Sequence, residues 1–294
     1  MKKIFDLHDS LIKRDYRLNR SFLLGIAIIM VIIYHFFSWI INPFGRFNIG
    51  YVGVDIFLFL SGWGLTYSYT RNNLKTFYFR RIKKIFPLYL LTSIIIICIS
   101  TRSEHIDIIE ALKRICTLSY YIDPAHSIDW YLNSLYIYYL SFPILYKICY
   151  RLKFKAVIFS CFFILLIYYL TWYNDIQIHW KHDCFLARIP IFCAGIVYAI
   201  HQYTSKQIFR FAYISLLMYL PFYYVSPYLA ASTLVFAIAI CSIQFSANNI
   251  GNAYYKIEYL GKYTLELYCS NIIVHKFISV PLKSGQININ QTIP

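Results

Sequence analysis

Runs of about 17–22 apolar residues, the length that crosses a bilayer as a helix, recur along the whole chain and limit its fold more than any other feature. Of the 294 residues, 59% are apolar and 14% are charged, whereas roughly 25% are charged in an ordinary soluble domain. A soluble chain would need more polar residues to cover its surface. The sequence therefore predicts an all-α protein, a polytopic bundle of transmembrane helices.

We predict about nine spans, which follow the apolar runs at residues 21–41, 50–70, 85–100, 130–149, 156–173, 184–200, 207–225, 227–246 and 259–280. The first run is too long for the apolar region of a signal peptide and has no small-residue cleavage site, so we expect it to remain as a helix. Residues 1–20 then form a basic cytoplasmic segment, residues 21–280 one transmembrane domain, and residues 281–294 a polar carboxyl-terminal tail.

The basic residues are unevenly distributed between the two sides of these spans. With the amino terminus in the cytoplasm, 20 of the 28 Lys and Arg residues fall on the cytoplasmic side. The opposite side receives the acidic residues Glu104, Asp107, Glu110, Asp123, Asp129, Asp175 and Asp183. The positive-inside rule therefore predicts a cytoplasmic amino terminus. The net charge of +15 does not indicate nucleic-acid binding, because the basic residues lie in short clusters and accompany no nucleic-acid-binding motif.

An ionisable residue inside a span costs at least roughly 2.5 kcal/mol to insert, and His35, Asp55 and Arg188 are residues of this kind in the outer parts of predicted spans. His35 and Asp55 lie in the outer halves of spans one and two, at similar depth if these spans are antiparallel neighbours. A His–Asp pair in a dry site is a competent base, because the carboxylate orients the imidazole. A structural hydrogen bond between two helices is the alternative.

Arg188 lies in the outer part of span six. It could neutralise Asp55, or it could stabilise an oxyanion. A structural ion pair, or an Arg side chain that reaches the lipid headgroups, explains its position without a catalytic role.

A basic cluster with helical spacing precedes span three. Phe77, Arg80, Arg81 and Lys84 share one side of a helix, at positions i, i+3, i+4 and i+7. Such a face could bind phosphate groups, with Arg as a bidentate donor. Attraction to lipid headgroups is the alternative, because any basic juxtamembrane helix shows it.

The eight cysteines give no indication of a metal site. None has C-x-x-C spacing or a His at ligand spacing, and six lie in or beside apolar runs: Cys98, Cys149, Cys161, Cys193, Cys241 and Cys269. We therefore predict no metal.

Six motifs, taken in order over roughly residues 21–275, resemble the membrane-bound acyltransferase family 3, the bacterial O-acyltransferases of surface glycans. They are Gly25-Ile26-Ala27 with His35; Gly50-Tyr51-Val52-Gly53-Val54-Asp55-Ile56-Phe57-Leu58-Phe59-Leu60-Ser61-Gly62; Arg80-Arg81-x-x-Lys84-Ile85-x-Pro87; Trp130-Tyr131-Leu132 with Tyr139 and Pro143; Arg188-Ile189-Pro190-x-Phe192-x-x-Gly195; and Leu260-Gly261-Lys262-x-Thr264 with Tyr268.

The chain also departs from the family pattern. Leu24 and Ser21 stand where the family usually has Arg and Asp, Leu135 stands at a common Glu position, and Asn271 stands at a late His position. The family typically has ten helices, one more than the sequence predicts. These departures leave open whether the chain is active.

The resemblance implies transfer of an acetyl or other short acyl group from acyl-CoA to a hydroxyl of a cell-surface glycan or its lipid-linked precursor. It also implies the bacterial inner membrane as location and membrane lipids as partners. A transporter or flippase of lipid-linked sugars, or an inactive membrane subunit, is the alternative, although no internal repeat typical of transporters is visible.

The resemblance assigns roles to the residues above. His35, Asp55 and Arg188 are expected to be catalytic, Arg80, Arg81 and Lys84 to bind the phosphates of acetyl-CoA, and Asp129 and Trp130 to bind the acceptor.

Overall fold

The computed structural model describes residues 20–36, 49–102, 104–201, 213, 217 and 252–283. Within these residues every regular element is a helix, as the sequence predicts. The helices are α1 (Arg20–Phe36), α2 (Ile49–Arg71), α3 (Leu74–Ser100), α4 (Ile108–Ile115), α5 (Leu118–Ile122), α6 (Trp130–Leu152), α7 (Lys155–Tyr173), α8 (Trp180–Leu186), α9 (Ile189–Ile200), α10 (Asn252–Lys262) and α11 (Thr264–Lys283). A 3₁₀ turn, Pro124–His126, lies between α5 and α6.

Four helical stretches of the described chain are long and apolar enough to cross a membrane, by length and composition. They are α2, α3, α7 and the stretch Trp180–Ile200 that α8 and α9 form together; α1 is apolar but shorter. The predicted spans at 207–225 and 227–246 lie outside the described residues, apart from positions 213 and 217, as do residues 1–19 and 284–294. Nine spans and a cytoplasmic amino terminus stay predictions.

Helix α3 begins eleven residues before the predicted start of span three, so it includes the basic cluster that the sequence analysis placed on a helix. Asn73 caps the helix: its side chain accepts a hydrogen bond of 2.8 Å from the backbone N–H of Thr76, which satisfies one of the free donors of the first turn. The helix then runs through Pro87 to Ser100. The basic cluster and the apolar span therefore lie on one continuous helix.

The last predicted span, 259–280, is also divided in the structure. Helix α10 ends at Lys262 and α11 begins at Thr264, with a turn at Tyr263. Gly261 and Lys262 lie directly before the turn.

The helices group into two compact units. The first unit takes α1, α2, the second half of α6, α7, α9 and α10, and the second unit takes α3, α4, α5, the first half of α6, most of α8 and most of α11. In the first unit α2 is central, since 78% of its most apolar stretch is buried. Helix α7 is peripheral, with 11% of its corresponding stretch buried.

Within the first unit, α2 and α9 are in backbone contact through two glycines. A Cβ atom on Gly62 would overlap the carbonyl oxygen of Phe192, and a Cβ atom on Gly195 would overlap the carbonyl oxygen of Phe59. Small residues at membrane helix interfaces allow this close approach. Both glycines are therefore required by packing.

Within the second unit, α3 and the first half of α6 run antiparallel. The ring of Phe77 packs 5.5 Å from that of Phe142, while twelve residues further along α3 the hydroxyl of Tyr89 donates to Asn133 Oδ1 over 3.1 Å. Later residues of α3 thus contact earlier residues of α6.

We expect Gly195→Ala to lower the membrane yield of folded protein and its melting temperature in detergent, because the added methyl group forces α9 away from α2. Gly64→Ala is the matched control: Gly64 lies in α2 on a half-buried position, and Ala favours a helix over Gly by roughly 1 kcal/mol. Equal melting temperatures for Gly195→Ala and the native protein would contradict this close packing.

Candidate active site

Helices α1 and α2 cross closely at two glycines of α2. A Cβ atom on Gly53 would lie 2.6 Å from the carbonyl oxygen of Ala27, and a Cβ atom on Gly50 would lie 2.5 Å from the ring of Tyr34. The later residue of α1 faces the earlier residue of α2, so the two helices are antiparallel. The adjacency on which the sequence analysis based its catalytic pair is therefore confirmed.

Asp55 and Arg188 form a fully buried ion pair, with 2.7 Å between Asp55 Oδ1 and Arg188 Nε and neither side chain exposed. Arg188 occupies the amino-terminal cap position of α9, at the break between α8 and α9. The neutralisation of Asp55 that the sequence analysis considered is thus the arrangement observed. A buried pair of this kind is expensive to desolvate, so each partner depends on the other.

The guanidinium of Arg188 also lies over an aromatic ring. Its central carbon is 5.2 Å from the ring centroid of Tyr51, which precedes Asp55 by one helical turn on the same side of α2. The side chain is therefore held between a carboxylate and a π face, and a cation over such a face is stabilised further. Sequence analysis did not single out Tyr51, although its i, i+4 spacing from Asp55 indicated a shared face.

His35 is half-buried near the end of α1. Its ring centroid is 5.4 Å from that of Tyr34, and Tyr34 is in turn 5.7 Å from Tyr51. Because Tyr34 packs on Gly50, the end of α1 lies level with the start of α2, and Asp55 lies roughly 8 Å further along the axis of α2. Contact between the side chains of His35 and Asp55 stays a prediction. The catalytic role of His35 stays a prediction.

The residues of the basic cluster of α3 share one side of the helix, as their spacing predicts, but they differ in exposure. Phe77 is buried in the core of its unit, and the guanidinium of half-buried Arg81 lies 5.9 Å from the centroid of the Phe77 ring. Arg80 and Lys84 are exposed. Two cations are thus accessible to a soluble anion, with a third at the edge of the buried face. Binding of CoA phosphates stays a prediction.

Asp129 and Trp130 lie at the start of α6. Asp129 Oδ2 accepts a 2.7 Å hydrogen bond from the backbone N–H of Leu132, the geometry of a helix amino-terminal cap. The hydroxyl of Tyr268 on α11 contacts both carboxylate oxygens of Asp129, at 3.2 and 3.3 Å. Trp130 is buried. Sequence analysis placed Tyr268 only in a motif, and the structure shows that it holds Asp129. Acceptor binding by this pair stays a prediction.

None of the described residues form a group of three or more His, Cys, Asp or Glu side chains that could hold a metal ion. The ionisable groups of the candidate site in the first unit are a buried ion pair and a half-buried imidazole on the neighbouring helix.

The family model described as "Acyltransferase domain" matches residues 22–294. The chain belongs to this acyltransferase family. The match includes every residue of the candidate site, and it confirms the resemblance to acyltransferase family 3. The acyltransferase is also 27% identical over 157 residues to "Putative acetyltransferase ORF330" of the Acidianus two-tailed virus.

That alignment covers 52% of the acyltransferase chain and 48% of the viral protein, so the chain spans about half the length of the curated relative that it matches. No solved structure matches the chain significantly.

We expect removal of one member of the Asp55–Arg188 pair to destabilise the acyltransferase by about 3–5 kcal/mol, because the other charge remains buried alone. The measurement is the melting temperature of purified Arg188→Met and Asp55→Leu variants in detergent. The double variant should recover much of the loss, since both charges are then absent.

Asp123→Asn is the control for that experiment. Asp123 Oδ2 lies 2.7 Å from His126 Nδ1 in a pair whose side chains are 56% and 51% exposed, and such exposed pairs contribute little to stability. Single variants at Asp55 and Arg188 that melt like Asp123→Asn would contradict the buried pair.

Proposed function

We propose that the acyltransferase uses acyl-CoA, with acetyl-CoA as the typical donor, to acylate a hydroxyl of a cell-surface polysaccharide or its lipid-linked precursor. The observation that carries the proposal is the family match over residues 22–294. The geometry agrees with it. Arg188 is buried and paired with Asp55 of α2, beside the helix that bears His35. The exposed basic residues of α3 are suited to bind a phosphorylated donor.

The proposed reaction needs one base and one site of positive charge. The imidazole of His35 takes the proton of the acceptor hydroxyl, whose oxygen attacks the thioester carbon; the C–S bond then breaks and the proton passes to the CoA thiolate. The products are an ester and free CoA. The guanidinium of Arg188 is suited to stabilise the negative charge that develops on the carbonyl oxygen, because a fixed cation in a dry site needs no reorganisation.

We also propose a bacterial inner-membrane location with a cytoplasmic amino terminus. The support is the asymmetry of basic residues in the sequence. In this orientation the basic cluster of α3 faces the cytoplasm, where acyl-CoA is available.

We expect His35→Gln to reduce turnover by a factor of roughly 10² to 10⁴, because an amide cannot accept the proton. The measurement is the release of free CoA from radiolabelled acetyl-CoA and the label gained by the surface glycan. Membrane yield and acetyl-CoA binding should stay normal. An active His35→Gln protein would refute the catalytic role. A native protein that never consumes the donor would favour the transporter or the inactive subunit.

We expect Arg80→Gln combined with Arg81→Gln to weaken acetyl-CoA binding by at least several-fold, because hydrogen bonds to charged groups contribute roughly 1.5–3 kcal/mol each. Lys75→Gln is the matched control, since Lys75 is exposed on the same helix but lies roughly 120–180° around the helix axis from Arg80, Arg81 and Lys84. If nonspecific lipid attraction were the only role of the cluster, the control and the double variant would bind the donor equally well.

A further inference from the structure

Helix α3 supplies a depth scale within the second unit. No charged residue occurs from Ile85 to Ser100, a run of roughly 24 Å by helix rise. Lys83 and Lys84 end this run on one side. The hydrocarbon layer therefore surrounds the helix from about Ile85 to its carboxyl-terminal end, which the charge asymmetry predicts to be the outer one.

The chain between α4 and α6 lies inside this depth range. The hydroxyl of Tyr89 contacts the carbonyl oxygen of Arg114, at the end of α4, and Asn133 Oδ1, in the first turn of α6, each at 3.1 Å. Tyr89 precedes Ser100 by eleven residues, or roughly 16 Å along the axis. The connection that leaves α4 and returns to α6 therefore descends well below the outer end of α3.

Helix α4, which leads into this connection, exposes apolar side chains on the surface of the protein. Ile108, Ile109 and Leu112 of α4 are 80%, 64% and 54% exposed. Arg114 on the same helix is 6% exposed, and it is paired with Glu110 at 2.9 Å and with Glu104 at 3.1 Å. A helix in water shows the reverse arrangement, with its apolar side buried. The outward side of α4 is therefore suited to contact lipid.

Non-helical backbone at membrane depth must have its polar groups satisfied by protein or by water. Lys181 does this for the 3₁₀ turn: its ammonium donates to the carbonyl oxygens of Pro124, Ala125 and Ser127 at 2.6, 3.2 and 3.1 Å, and to Ser127 Oγ at 2.9 Å. Lys181 is itself 9% exposed. The turn is thus fixed to α8 from its protein side.

The other side of the turn carries exposed charge. His126 Nδ1 lies 2.7 Å from Asp123 Oδ2, and these side chains are 51% and 56% exposed. Charged groups at this depth avoid hydrocarbon and face water-filled cavities. The exposed side of the turn therefore requires water, whereas the exposed side of α4 requires lipid.

We propose that residues 116–129 form a re-entrant segment that lines an aqueous vestibule in the outer half of the bilayer, and that the hydroxyl-bearing acceptor enters through it. Asp129 and Trp130, which follow the turn directly, lie at the inner end of the segment. The identity of the entering molecule as an acceptor rests on the proposed function. The vestibule itself rests only on depth, burial and charge.

The test compares cysteines at two positions that are both exposed in the structure. His126→Cys and Ile109→Cys are each placed in a parent protein in which Cys98 and Cys116, the exposed cysteines among the described residues, are Ser. Both proteins, in proteoliposomes, receive a charged, membrane-impermeant methanethiosulfonate, and the unaltered parent gives the background. Only the thiolate reacts, and hydrocarbon excludes both thiolate and reagent, so His126→Cys should react about ten-fold faster or more.

Two results would overturn the vestibule. Equal, fast labelling of Ile109→Cys would show that the segment lies in bulk water outside the bilayer. Slow labelling of His126→Cys, in a protein that reacts fully once dissolved in detergent, would show that water does not reach the turn.

A second arm tests the acceptor. The anionic adduct on His126→Cys should lower the O-acetyl content of the host's surface polysaccharide several-fold, because it narrows the entry, and leave acetyl-CoA binding unchanged. Normal O-acetylation by fully labelled protein would exclude this route for the acceptor. An unlabelled parent that fails to bind acetyl-CoA would instead refute the proposed function and leave the labelling result intact.

Discussion

The low polarity of the surroundings is the constraint on which the rest of the structure depends, because it obliges each buried charge to have a partner. The buried charged residues of the described chain meet this requirement. Asp55 pairs with Arg188, Arg114 with two glutamates, and Glu258 with Lys262, while Lys181 is held by backbone oxygens. The Asp55–Arg188 pair connects two helices, Arg114 connects α4 to Glu104 in the chain before it, and Lys181 fixes the 3₁₀ turn, whereas the Glu258–Lys262 pair lies within α10.

The sequence predicted the helices best where an apolar run has clear polar ends. Helix α2 was predicted at 50–70 and α7 at 156–173, and each differs from the structure by a single residue at either end or less. Helix α3 extends eleven residues before the predicted span three, because its first turns are charged and hydropathy reports burial in lipid rather than helicity. The break at Tyr263 was not predicted, although Gly261 and Lys262 lie directly before it.

The candidate site was only partly predictable. The buried positions of Asp55 and Arg188 followed from the cost of a charge in a span, and their pairing followed from similar depth. The register between α1 and α2 did not, because it depends on the contacts of Gly50 and Gly53 with the backbone and ring of another helix. Lys181 was not recognised, because its partners are carbonyl oxygens, which every residue carries and which leave no pattern in the sequence.

The orientation of α9 has an electrostatic consequence for the buried pair. Arg188 caps the amino-terminal end of α9, and its side chain reaches Asp55 on α2. The amino-terminal end of α9 carries the positive end of its helix dipole, on the same side as the guanidinium. The carboxylate of Asp55 thus balances two sources of positive potential, whereas Arg188 balances one negative charge. The two halves of the ion pair are therefore unequal in their electrostatic role. Loss of the carboxylate would leave two sources of positive potential uncompensated, whereas loss of the guanidinium would leave the carboxylate with the helix dipole.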